Sequence, residues 1–114
     1  MPRILSISYD QALLQTRELM LSREGFEVES AVGFSAAVHA CENGKFDLVI
    51  VGHSIPTADQ TFILQQVKAL SNASILALRR PHDGPLEIAD YNLDPDDPER
   101  FLNYVKEITN HKRR

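Results

Sequence analysis

Leu48-Val49-Ile50-Val51 is an unbroken apolar run set between Asp47 and Gly52. It does not alternate with polar residues, so a strand built from it has to be covered on both faces. That condition is met in the middle of a parallel sheet with helices on each side. Gly52 ends the run, and Ile55-Pro56 forces an extended turn beyond it. In open α/β sheets, sites form past the carboxyl ends of the strands. Gly52 and His53 therefore mark the place where a site is expected.

The segments on either side alternate between strand and helix patterns. Arg3 to Ser8 predicts a first strand, and Asp10 is suited to cap a helix that runs to about Glu24. Leu13 and Met20, with Leu14 and Leu21, make the apolar stripe of that helix, and Gly25 stops it. Phe26 to Ala31 alternates and predicts a second strand. Gly33 and Ser35 open a second helix with Ala37, Val38 and Cys41 inward, and Asn43-Gly44 closes it. Thr57 to about Leu70 predicts a third helix, with Ile63, Val67 and Leu70 on one face, broken by Ser71-Asn72. Ser74 to Arg79 and a weaker Ala89 to Leu93 predict the last two strands. Asp97-Pro98 starts a final helix carrying Phe101, Val105 and Ile108 at i, i+4 and i+7.

Strands alternating with helices imply a doubly wound parallel sheet. The expected fold class is α/β, a flavodoxin-like (βα)5 unit with strand order 2-1-3-4-5. Its switch point between the first and third strands brings Ser8-Tyr9-Asp10 beside Gly52-His53. The piece between Arg79 and Ala89, with Pro81, His82, Asp83, Gly84 and Pro85, is too short for an ordinary crossover, which needs about a dozen residues or more. The fourth helix is therefore expected to be shortened or missing. With 114 residues the chain is expected to be one domain, 1–114, with its core at about 3–109.

Composition removes several function classes. A net charge of −4 gives no general attraction to nucleic acid or to anionic membrane. A single cysteine, Cys41, excludes an internal disulfide and a cysteine-based zinc site, and its place in the second helix makes it a small core residue. No apolar run approaches the ~18 residues of a membrane span and no secretion signal opens the chain, so a cytoplasmic location is expected. The basic end His111-Lys112-Arg113-Arg114 reads as a solvated terminus.

Several motifs together resemble the receiver domains of response regulators. Asp47-Leu48-Val49, the position of Gly52, Ile55-Pro56, Asp59, the Gly33-x-x-Ala36-Ala37 start of the second helix, and Asp94-Pro95 followed by Glu99 fall in that family's order. The resemblance spans about Arg3 to Ile108. It implies a phosphoacceptor segment, but the acceptor aspartate's position is Gly52. The acidic-pocket positions are Ser8 and Tyr9, with Asp10 one residue beyond. The switch positions are Arg79 in place of Ser or Thr, Tyr91 as the switch aromatic, and Asp94 in place of lysine. Glycine cannot form an acyl phosphate. Ser8, Tyr9 and a glycine carbonyl are also a poor oxygen set for magnesium, whose binding is expected to be weak or absent, and Asp94 repels phosphate.

The resemblance thus implies a stand-alone degenerate receiver, a pseudo-receiver, that is not an enzyme and needs no cofactor. Its implied partner is a protein, a sensor kinase or a downstream signalling protein. Binding is expected through the fourth strand, fifth strand and last helix, including Tyr91, Arg100 and Tyr104. The same surface could serve a homodimer, favoured by the exposed sheet edge that a short fourth helix would leave. Arg79 and Asp94 are expected to pair and fill the former pocket. The alternative is a small-molecule or anion sensor that uses His53, Arg79 and Asp94 as contacts. Arg79-Arg80 with His82 is a further possible anion group. His53 is otherwise a solvent-facing loop residue, and Asp59 is expected to cap the third helix.

Overall fold

The computed structural model describes the backbone of residues 2–112 and the side chains of residues 2–110. Arg113, Arg114 and the side chains of His111 and Lys112, the basic end singled out above, lie outside the described residues. The elements are β1 (Arg3–Ser8), α1 (Gln11–Arg23), β2 (Glu27–Val32), α2 (Gly33–Asn43), β3 (Leu48–Val51), α3 (Thr57–Leu70), β4 (Ser74–Leu78), β5 (Tyr91–Leu93) and α4 (Pro98–Lys112). The five strands are all parallel in the order β2-β1-β3-β4-β5, the expected doubly wound arrangement.

Alternation along each strand sorts the core into two layers. Leu5, Ile7, Val49, Val51, Ile75 and Ala77 pack on Ala37, Cys41, Ile63 and Val67 of α2 and α3. Ile4, Leu48, Ile50, Leu76, Leu78 and Leu93 pack on Leu21 of α1 and on Phe101, Val105 and Ile108 of α4. Every residue of β3 is fully buried, which is why its sequence shows no alternation.

Local signals set the helix ends. Asp10 accepts from the N–H groups of Ala12 and Leu13 at 2.9 and 3.2 Å, and Asp97 accepts from Glu99 and Arg100 at 3.0 and 3.3 Å. Gly25, at φ +91°, lets α1 end with its N–H on the Ser22 carbonyl and Phe26 N–H on that of Leu21.

Some expectations change. The second strand lies one residue further on, ending at Val32. In α3 the buried stripe is Gln60, Ile63, Leu64 and Val67. The i, i+3, i+4, i+7 pattern is therefore complete one turn earlier, and Leu70 is 42% exposed at the helix end. Asp59 lies inside the first turn and caps nothing; Pro56 stands at the cap position with no side-chain bond. Leu13 and Met20 are half-buried, and Leu14 and Leu21 carry the α1 contact.

The fourth helix is reduced to one 3-10 turn, Pro81–Asp83. The rest of this connection is tied to β5 by Asn92, whose amide accepts from Leu86 N–H at 2.8 Å and donates to its carbonyl at 3.3 Å.

Candidate functional site

The rim formed by the carboxyl ends of β1, β3 and β4 holds Ser8, Gly52 and Arg79. Ser8 is fully buried. Its hydroxyl lies 2.7 Å from that of Ser54 and accepts from Asp10 N–H at 3.0 Å. Tyr9 is 42% exposed and donates its hydroxyl to Asp59 at 2.9 Å. Burial first, then the bond to Asp59 and its charge, raise the Tyr9 pKa. The Asp10 carboxylate is occupied as the α1 cap. Of these positions only Asp10 carries a carboxylate, and its Oδ1 is turned to the start of α1. Among the described residues no group of three or more His, Cys, Asp or Glu could hold a metal ion.

Gly52 is closed in on every side. Its N–H donates to Ile7 at 2.9 Å. Its carbonyl accepts from Gln60 Nε2 at 2.8 Å. A Cβ built at this position would stand 2.8 Å from Nη1 of Arg17 and 3.2 Å from the Ile7 carbonyl oxygen. The direction follows from strand parity: position 52 faces the α1 side, as Leu48 and Ile50 do. The Arg17 guanidinium fills the space that an acceptor side chain would need.

Arg17 is 7% exposed. Its Nη2 lies 3.2 Å from Nδ1 of His53, which holds His53 as the neutral ring with its proton on Nε2. Its Nη1 is buried without a hydrogen-bond partner. Burial lowers the Arg17 pKa, and the charge of Asp10 partly offsets this. His53 is half-buried, not a free loop residue. Its pKa lies below the usual 6.5 because burial disfavours the charged ring, with Arg17 and Arg80 adding repulsion.

Arg79 is 8% exposed and points to the other face of the sheet, into α3. Its Nη1 donates to Gln60 Oε1 at 2.5 Å and Thr57 Oγ1 at 2.9 Å; Nε and Nη2 donate to the Gly84 and Asp83 carbonyls at 2.8 Å each. These bonds replace the expected pair with Asp94, whose carboxylate accepts from Asp96 N–H at 3.1 Å. Parity again explains the result, since Arg79 follows Ile75 and Ala77 onto the α3 side. The continuous chain Gly52–Gln60–Arg79 joins β3, α3 and the 3-10 turn.

The proposed ligand contacts do not converge. Arg79 and Asp94 border one shallow depression with Pro81 and Leu93, and His53 opens onto a separate cavity. Nor do Arg79, Arg80 and His82 form one anion group: Arg80 pairs with Asp96 at 3.1 Å and His82 meets Asp83 at 3.6 Å, both in solvent. Tyr91 is half-buried, with its ring 6.0 Å from that of Tyr104 in an edge-on arrangement at 86°. Cys41 is buried, and burial raises its pKa.

Arg17 and Gln60 were not singled out by the sequence. Their signal was a polar residue at a core position: Arg17 three residues after Leu14 and four before Leu21, Gln60 three before Ile63 and seven before Val67.

Solved structures give the architecture a family context. A CheY-like receiver domain protein from Methanospirillum hungatei superposes with a TM-score of 0.84 at 24% identity, over 99% of this chain and 97% of that one. The CheY-like receiver domain from Methylobacillus flagellatus gives 0.82 at 21% identity, over 95% and 98%. This is the receiver fold. A chain in the complex of the histidine kinase ThkA with the response regulator TrrA, the latter from Thermotoga maritima, also has it, at a TM-score of 0.81 and 20% identity over 95% and 98%. No protein-family model and no curated sequence matches this chain.

Proposed function

We propose that this protein is a degenerate receiver, a pseudo-receiver acting in bacterial-type signal transduction as a phosphorylation-independent protein-interaction module. The observation that carries this reading is the occupation of the acceptor space at Gly52 by the Arg17 guanidinium. There is no carboxylate at position 52 to phosphorylate, and no room for a longer side chain without moving Arg17.

The proposal includes no enzymatic activity, no cofactor, and magnesium binding that is weak or absent. The partner is a sensor kinase or a downstream signalling protein; one structure with this fold is a response regulator bound to a histidine kinase, which supports a protein partner by analogy. The binding surface is β4, β5 and α4, with Tyr91, Arg100 and Tyr104, and a second copy of the chain is the other candidate for it. The net charge of −4 speaks against nucleic acid and anionic membrane. No helix of the described residues is long and apolar enough to cross a membrane, and the working location is the cytoplasm.

Amide NMR with magnesium and beryllofluoride tests the reading, since that anion mimics a phosphorylated carboxylate. The expected result is no shift at Ser8, Gly52 or Arg79. Saturable shifts clustered there would overturn it.

A further inference from the structure

The buried guanidinium of Arg17 is held beside Gly52 by very little. Its Nη1 has no hydrogen-bond partner, and among the described residues its one hydrogen bond runs from Nη2 to Nδ1 of His53 at 3.2 Å. Asp10 favours the cation through its charge, while its Oδ1 carries the cap of α1.

The bond to His53 exists only while the ring is neutral. A protonated imidazole is a donor at both nitrogens. It would turn a proton toward the guanidinium and set a second cation against the first, where little water screens them. The charges that act on the ring come from several elements. Arg17 of α1 and Arg80 after β4 oppose its charging, and Asp96 before α4 and Asp10 at the start of α1 favour it. Burial is the largest influence and also opposes it, so the ring charges below the ordinary 6.5 and is neutral at neutral pH.

A way out for the guanidinium is present. Arg17 and His53 both line a groove of about 190 Å³ between α1 and α4, with Leu13, Thr16 and Met20 on its α1 wall. An arginine can keep its methylenes on such a wall while its charged head reaches water.

We infer that His53 is a proton-operated latch on Arg17: with the ring neutral the guanidinium fills the space beside Gly52, and with the ring charged it swings out along the groove between α1 and α4. The proton comes from water and goes to Nδ1; no covalent bond to carbon changes. Acidification then vacates the space at position 52 and brings a cation onto the α1–α4 face, so the charge that a partner meets there changes with pH. The latch rests on the same filling of the Gly52 space as the proposed function. The two can fail separately, because beryllofluoride tests the acceptor position at neutral pH, where the latch is shut.

The test is NMR of the native protein between about pH 7.5 and 4.5, following the His53 ring together with NOE contacts between the Arg17 side chain and Gly52 Hα. These contacts are expected while the ring is neutral. They should disappear with the midpoint of the ring titration, while the β1 and β3 amides keep their native dispersion. His53→Asn puts an amide oxygen, which does not titrate, near the place of Nδ1, and there the contacts should persist over the whole range. If that variant does not fold, the native titration decides alone. The proposal fails if the contacts are absent at neutral pH or persist after the ring is charged. It also fails if His53→Asn loses them over the same range, which would assign the release to Asp10 or Asp96, or if they are lost only as the whole protein unfolds.

Discussion

Nη1 of Arg17 lies 2.8 Å from the point at which a Cβ on Gly52 would stand. A side chain at position 52 and an inward-turned Arg17 exclude one another. Gly52→Ala also sets its methyl 3.2 Å from the Ile7 carbonyl, and a backbone atom cannot swing aside as a guanidinium can. The expected loss is about 1–3 kcal/mol in urea unfolding. Adding Arg17→Met should recover part of it, because the two sites share one volume. Strictly additive losses would show that they do not.

Arg79 should act as a structural residue. Arg79→Met removes four hydrogen bonds and leaves Gln60 Oε1, on a residue 1% exposed, without its partner. A loss of about 2–4 kcal/mol is expected. Hydrogen exchange should quicken around residues 80–86 before it does in β1 or β3. By contrast Asp94→Ala should leave stability within about 0.5 kcal/mol, as for an ordinary surface change.

His53 gives the protein a pH dependence of definite sign. Its folded-state pKa lies below the ordinary 6.5, so between the two values the unfolded chain binds more protons. The stability from the neutral ring is complete above about 6.5, declines as the pH falls below that, and is lost once the folded pKa is passed. Urea midpoints between about pH 5 and 7.5 should follow this course. The imidazole NMR titration should have its midpoint below 6.5, moving upward in Arg17→Met as the guanidinium's repulsion is removed. A midpoint at or above 6.5 in the native protein would contradict the burial of the ring.

Tyr91 and Tyr104 hold β5 to α4 by an edge-on contact at 6.0 Å. A double-mutant cycle with Leu at each position should give a coupling of about 0.5–1.5 kcal/mol. If the β4–β5–α4 surface meets a partner, Tyr104→Leu and Arg100→Ala should weaken that complex more than they weaken folding. Unchanged binding in both variants would place the partner elsewhere.

What could be read from the sequence was what depends on neighbours along the chain. Leu48–Val51 announced a doubly covered strand, and Asp10, Gly25 and Asp97 marked helix ends through bonds spanning only a few residues. The shortness of the segment after Arg79 correctly forecast a missing helix. The site was harder, because its contacts are long-range. The pairing of Arg17 with His53 joins residues 36 positions apart, and that of Arg79 with Gln60 residues 19 apart. Arg79 and Asp94 were matched by opposite charge alone. The side of the sheet each faces was decided by strand parity, which points Arg79 to α3, and by a turn that gives Asp94 its own backbone donor.

The spokes from Arg79 to Thr57, Gln60, Asp83 and Gly84 have a bearing on how such a module could be used. They fasten the shortened connection to α3. On the proposed reading, a protein fixed in one form at neutral pH cannot tell its partner that an event has occurred. It can report only how many copies of itself are present, so the signal it carries would be set by synthesis and degradation.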